Sequence, residues 1–364
     1  MSKILKVVIT GGPCAGKSSA LEYLIKYYQD KNIKVFYINE VATELINQGI
    51  APWTCKTSLE FQKIRMRLQL KKELEIDKQI INCNDEKILV IYDRGLMDSK
   101  AYTYGNEFNE VLKELQLNII EARDRYDAVF HLLSVSKDKE EFYTLTNNSA
   151  RIETVEEAKV LDDKIISSWV GHPHFRIIKS YDLFIDKINQ LISEVDNLLD
   201  NNSLEIERKY LIKYPNINFL ENYQFCNKVD ISQYYLTLPN NEIIRVRKRG
   251  IDNNYIYIKT VKKNINNIKR IETETIITKD QYEYLIKTAR EKTFIDKSRY
   301  CLLYENQYFE IDVFPFWDDK AFMEIELSDE NQEIEFPEFI DIIEEVTYDK
   351  EYTNHSLSKK YKNY

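Results

Sequence analysis

The chain is 364 residues long, more than one ordinary core accommodates, so two domains are expected. With 43% hydrophobic and 30% charged residues it can bury a substantial interior, while a net charge of -9 argues against a dedicated DNA binder. No run approaches the ~20 apolar residues that span a bilayer, so no transmembrane segment is expected. The five scattered cysteines, without a CxxC pair, fit reduced thiols in the cytoplasm.

The first half alternates apolar runs with helical patterns. "ILKVVIT", "VFYIN", "KILVIYD" and "DAVFHLLS" read as strands, and "SSALEYLIKYYQD" and "LEFQKIRMRLQLKKELEIDKQII" as helices. Such alternation implies an α/β domain with a parallel sheet covered by helices on both faces. The first strand runs into "GGPCAGKSS", in which Gly11, four further residues, and then Gly16, Lys17 and Ser18 make the GxxxxGK[ST] spacing between strand and helix. Glycines there let backbone N–H groups wrap phosphate oxygens, and the following helix offers its positive end. Lys17 is expected to reach the outer phosphates of ATP or GTP, and the Ser18 hydroxyl, with Ser19 beside it, to face Mg2+.

Further along, Asp93 ends the third strand and is a second candidate for the Mg2+ shell. Glu40, after "VFYIN", reads either as a base or water-mediated metal contact, or as a helix N-terminal acid. Arg151 in "LTNNSARIE" reads as a lid arginine or as a surface ion pair, and His172 and His174 in "WVGHPHF" as part of a turn. "SYDLFIDKINQLISEVDNLL" closes the domain as an amphipathic helix. The expected division is 1–198 for the phosphate-loop domain, 199–203 for a linker, 204–352 for a second domain, and 353–364 for a polar, partly disordered tail.

The second half is strand-like with period-two alternation. In "LEIERKYLI", Glu205, Glu207 and Lys209 share one face. Arg245, Arg247 and Arg249 alternate in "IIRVRKRG", and Lys259 ends "YIYIK". Arg270, Glu272 and Glu274 alternate in "RIETET", and Lys297 and Arg299 in "DKSRY". Glu310 and Asp312 follow in "YFEIDVF", then Glu324 and Glu326 in "FMEIEL". Each strand alone reads as a wet face opposite a core face. Across the set, acids and bases segregate by strand, as a surface gripping phosphates and a hard cation would require.

Two family resemblances rest on these stretches. "ITGGPCAGKSS", "YDRGLMDSKAY", "FYTLTNNSARIE" and "WVGHP" resemble the nicotinamide-riboside-kinase-like P-loop ATPases. One departure is that Arg151 is the only arginine between residues 134 and 173, where small-molecule kinases usually bring several. "EIERK" is similar to the ExExK signature of the CYTH, or triphosphate tunnel, superfamily, and the fusion, with "EEVTYDKEYTNHSLS", resembles the TRPL translocation defect proteins.

The second resemblance implies an α+β antiparallel barrel whose charged faces line a tunnel. Glu205, Glu207, Glu324 and Glu326 would hold Mg2+ or Mn2+, with Ser18 and Asp93 serving the metal of the first domain. Lys209, Arg245, Arg247, Lys259 and Arg299 would bind phosphate, with Arg270 and Lys297 as further candidates; Glu205, Glu207, Lys209 and Arg299 would carry catalysis. Two functional classes follow. One is a metal-dependent hydrolase of inorganic triphosphate or another triphosphate; the other is a nucleotide-regulated adaptor at the membrane periphery that binds phosphoinositide head groups. A nucleoside or nicotinamide-riboside kinase ranks third.

Overall fold

The computed structural model describes residues 3–134, 154–181, 183–200, 206–240, 242–264 and 270–361, with 200, 262–264 and 270–272 described by backbone alone. The chain divides into two compact units, Met1–Ser203 and Leu204–Tyr364.

In the first unit five strands form a parallel sheet: β1 (Lys3–Thr10), β2 (Lys34–Ile38), β3 (Lys87–Asp93), β4 (Ala128–Leu132) and β5 (Phe175–Ile178), in the order β2-β3-β1-β4-β5. Strands buried on both faces read as continuous apolar runs, and Val7, Ile9, Leu89, Ile91, Phe130 and Leu132 are fully enclosed here. The described helices are α1 (Lys17–Asp30), α2 (Val41–Asn47), α3 (Ser58–Ile81), α4 (Glu107–Glu114), α5 (Ile119–Arg123), α6 (Val155–Trp169) and α7 (Phe184–Asp200). Leu21 and Leu24 of α1 and Ile188 and Leu191 of α7 pack into one cluster with the sheet. A seven-residue 3-10 helix, Leu96–Tyr102, follows β3. Because β1 lies between β3 and β4, the loops leaving those three carboxyl ends converge on one crevice.

The second unit is a nine-stranded antiparallel sheet. Its strands are β6 (Ile206–Lys213), β7 (Cys226–Thr237), β8 (Ile243–Ile251), β9 (Asn254–Asn264), β10 (Arg270–Ile277), β11 (Glu291–Tyr304), β12 (Gln307–Val313), β13 (Lys320–Leu327) and β14 (Ile342–Glu345). They pair in the order β10-β9-β8-β7-β11-β12-β13-β6-β14, and among the described residues β10 and β14 do not pair with each other. One face packs Tyr210, Ile212, Tyr300, Leu302, Phe309, Ile311, Met323 and Ile325 into a core. The alternate residues of the same strands carry the charges. That second face is not simply wet, because Leu211, Ile295, Phe314, Trp317 and Phe322 form an apolar cluster on it.

Within the stretch expected to be a polar, partly disordered tail, the described residues form a short helix, α10 (Asn354–Lys360), after α8 (Ile217–Asn222) and α9 (Lys279–Thr288). Leu357 is buried among the aromatic residues of that cluster, and the Ser358 hydroxyl donates to Thr293 Oγ1 at 2.8 Å. Few apolar residues in a segment do not prevent folding when one of them finds a ready core.

Candidate functional site

The crevice of the first unit brings together most of what its sequence marks. Gly16 has φ +80°, a left-handed conformation that glycine takes at no steric cost, and it turns the loop into α1. Lys17 is half-buried, and its Nζ donates to the carbonyls of Gly11 and Gly12 at 2.9 and 3.2 Å. Ser18 and Ser19 are exposed in the first turn of α1. Asp93 pairs in register with Ile9 at the end of β1, which sets its buried carboxylate beside the loop.

Around these lies a polar network. Arg94 Nε donates to Glu40 Oε1 at 2.6 Å and Nη1 to Asp98 Oδ1 at 3.2 Å. Thr10 also donates to Asp98, as does the Gly95 N–H at 2.8 Å. Arg94 itself has φ +69°, a conformation costing a non-glycine residue of order 1–3 kcal/mol, which its two carboxylate partners offset. From α3, the buried Arg65, Gln69 and Glu73 lie four residues apart on one helix face. Arg65 Nη2 donates to Gly95 O at 3.2 Å and Gln69 Nε2 to Arg94 O at 3.4 Å.

The charges of this site do not cancel. Burial, together with the nearby Arg94 cation, pushes the Lys17 ammonium down to about 8. Burial and the Glu40 charge push the Asp93 carboxyl up to about 6, and Asp93 Oδ1 is buried without a hydrogen-bond partner among the described residues. Burial would also raise Glu40, but Arg94 and Lys17 overcome it and hold that carboxyl at about 2. Both shifts come first from burial, and a magnesium-bound polyphosphate would bring each buried group further opposite charge.

In the second unit, pairing registers place Lys209 opposite Glu324, Glu207 opposite Glu326, Glu310 opposite Glu324, and Arg299 opposite Asp312. The ion pairs follow these registers. Lys209 Nζ lies 2.8 Å from Glu324 Oε1 and 3.9 Å from the centre of the Phe322 ring. Arg299 meets Asp312 Oδ1 at 2.6 Å and Glu324 Oε2 at 2.9 Å, and also bonds Glu310, while Lys297 is held by Asp312. On the same face, toward the β10 edge of the sheet, Arg245 Nη2 reaches Glu274 Oε1 at 2.9 Å, and Arg247 shares that carboxylate.

Here too an imbalance remains at each end. Burial and the neighbouring Arg245 press the Arg247 guanidinium down to about 10, and its Nε is buried without a partner among the described residues. At the opposite end Glu207 is pushed up to about 7 by desolvation and by Glu324, although its side chain still reaches solvent. Arg299 lies within the field of both. Among the described residues no three His, Cys, Asp or Glu side chains already stand together as a metal cage. The donor set nonetheless fits a hard divalent cation, since Glu207, Glu324 and Glu326 present carboxylate oxygens on one face of adjacent strands.

Several expected residues stand elsewhere. Arg151 and Glu205 lie outside the described residues, and Arg270 is described by its backbone only. Lys259 must be corrected: it pairs with Val246, so it shares the face of Val246 and Val261 while Arg245, Arg247 and Thr260 occupy the other. The two-residue hairpin turn at Asp252–Asn253, both with positive φ, fixes that parity, and odd residues of β9 face away from the arginines. Lys297 is on the charged face but is engaged by Asp312. His172 is buried, with its Nε2 3.0 Å from Tyr126 O, and Nδ1 accepts from His174 N–H at 3.0 Å, a turn-holding role. Asp98, Arg65, Asp162 and His131 carry no local motif; a buried polar residue inside an apolar strand or helix was the available signal.

The comparisons with known proteins agree with this division. Residues 6–182 match the AAA domain family and residues 203–356 the CYTH domain family. An inorganic triphosphatase of Acetivibrio thermocellus is 32% identical over 162 residues, covering 44% of this chain and 97% of that protein. A solved inorganic triphosphatase structure is 30% identical, covers 43% of this chain and 95% of its own, and has a TM-score of 0.31. A solved Pyrococcus horikoshii protein is 20% identical, with coverage of 35% and 80% and a TM-score of 0.24. No helix among the described residues is long and apolar enough to cross a membrane. Through its second unit, which is similar to inorganic triphosphatase enzymes, the chain belongs to the CYTH family, joined here to an AAA-type P-loop domain.

Proposed function

We propose that the second unit hydrolyses a triphosphate with a divalent metal ion, and that the first binds a nucleoside triphosphate on its phosphate loop. The observation that carries the reading is an arrangement on one sheet face: Arg245 and Arg247 share the single Glu274 carboxylate and would take a further anion, while Glu207, opposite Glu326, would take a cation. A metal triphosphate supplies both at once. Arg245, Arg247, Lys209 and Arg299 would hold phosphate oxygens and balance the charge that builds on them, while Glu207, Glu324, Glu326 and Glu205 would hold Mg2+ or Mn2+. When bound, the metal supplies Lewis-acid polarisation of the phosphoryl group and a more acidic water. Arg299, anchored by Asp312 and Glu324, keeps a fixed orientation between the two ends.

Inorganic triphosphate is the favoured substrate, since the relative that the second unit matches at 32% identity is an inorganic triphosphatase. In the first unit, Lys17, Ser18 and Asp93 would take the phosphates and Mg2+ of ATP or GTP. The rival reading is the phosphoinositide-binding adaptor. It uses the same basic face but leaves Glu207 unexplained, because a polyanion binder gains nothing from a carboxylate at that position. The test is phosphate release with Mg2+ or Mn2+ from inorganic triphosphate, ATP, GTP and thiamine triphosphate. Turnover that vanishes in Glu207→Gln supports the hydrolase; metal-independent binding of phosphoinositide head groups without turnover favours the adaptor.

A further inference from the structure

The helix α6 touches the crevice of the first unit at two points, and each contact explains a glycine. Asp162 is fully buried, and its Oδ1 accepts the Gly12 N–H at 2.7 Å and lies 2.9 Å from Nε2 of the equally buried His131 at the end of β4. A Cβ at Gly12 would sit 2.6 Å from that oxygen and 2.9 Å from Asp162 Cβ, so position 12 is glycine because Asp162 needs the space. Seven residues later on the same helix face, Trp169 Nε1 donates to Asp98 Oδ2 at 3.3 Å. A Cβ at Gly95 would meet the Trp169 ring at 2.8 Å. One helix therefore seats two side chains against glycines that follow β1, which leads into the loop ending at Lys17, and β3, which ends in Asp93.

We propose that Asp162 is a positioning residue for nucleotide binding: it fixes the Gly12 peptide, and so the start of the phosphate loop. Pro13 has no N–H, so the backbone donors able to face a phosphate begin at Cys14. Their aim depends on where the chain enters the loop. The Gly12 N–H, held by a fully buried carboxylate that is itself oriented by His131, is the anchor of that entry. This inference rests on the phosphate-loop reading above.

The test measures MgATP and MgGTP affinity by calorimetry on the full chain, alongside thermal unfolding. Asp162→Ala is expected to weaken the better-bound nucleotide about tenfold, since a buried donor loses its acceptor. Asp162→Asn keeps an oxygen for the Gly12 N–H and is expected to stay within about threefold of the parent. Gly12→Ala, which pushes on Asp162 from the other side, is expected to weaken binding similarly, and the double variant Gly12→Ala with Asp162→Ala to be less than multiplicative. Parent-like affinity in Asp162→Ala, or equal losses in Asn and Ala variants of matched stability, overturns the proposal. If Asp162→Ala does not fold, the Asn variant and Gly12→Ala decide it in the same way. Lys17→Ala runs in parallel. Unchanged affinity there sinks the phosphate-loop reading itself, whereas a loss there with none in Asp162→Ala sinks only the positioning role.

Discussion

On the proposed reading, the two units handle the same problem, a surface for phosphate and a cation, with different materials. In the first, the anion-facing elements are a backbone loop and a helix end, with Lys17 as the loop's ammonium. In the second, they are side chains on neighbouring strands, and cations and carboxylates already hold each other through Arg299, Lys209 and Lys297. A backbone cradle is specified by glycine spacing within a few residues. A side-chain cradle needs several strands in the right register, so it is fixed by the whole sheet. The first should tolerate change outside its loop and its anchors, and the second should lose stability as well as function when its central arginine is removed.

The largest expected effect tests the side-chain cradle. Glu205→Gln combined with Glu207→Gln should lower metal-dependent phosphate release by about a thousandfold. Retained turnover would place the reaction away from this face. For the backbone cradle, Lys17→Ala should weaken nucleotide binding roughly a hundredfold while leaving triphosphate turnover in the second unit intact. Equal loss of both activities would erase the distinction between the units.

Arg299→Gln separates them through stability. It leaves Asp312, Glu324 and Glu310 facing each other with one cation fewer, at a cost of about 3–5 kcal/mol in denaturant unfolding. A change below about 1 kcal/mol would mean the network contributes little to folding. A smaller effect concerns pH. Glu207 holds its proton more tightly in the fold, at about 7, than at its ordinary value of 4.5. Its contribution to metal-free stability is therefore present below 4.5 and withdraws as pH climbs through 7. Mg2+ should accordingly raise Tm more at pH 8 than at pH 6, and Glu207→Gln should flatten that difference. Smallest of all, Lys259→Ala should change triphosphate turnover less than twofold, against a tenfold or greater loss for Arg247→Ala.

How much of this could be read in advance follows the same contrast. Gly11, Gly16, Lys17 and Ser18 were legible because their chemistry is local: turn, donor and helix start lie within eight residues. The alternating Arg245 and Arg247, and the pairing of Glu207 and Lys209 on one face, were legible from the period of a strand. Lys259 was not, because parity across a hairpin depends on how many residues the turn consumes. Asp98 with Thr10, and Asp162 with Gly12, were invisible for another reason. Their partners lie 88 and 150 residues away, and only the fold brings them together. The stretch "RYCLLYENQYFEIDVF" likewise contains a turn, at Glu305–Asn306, where both residues take positive φ without a glycine to announce it.

The hairpin between β8 and β9 has a consequence for how such proteins diverge. Asp252 and Asn253 alone decide which half of β9 looks toward the arginines. Lengthening that turn by a single residue, with the rest of the pairing shifted to match, would roll the strand over and swap its two sets of side chains. Lys259 would then join the phosphate-facing side in place of Ile258 and Thr260. A family could thus add or withdraw a positive charge from its binding surface by an indel at an exposed loop, with no substitution at the surface itself.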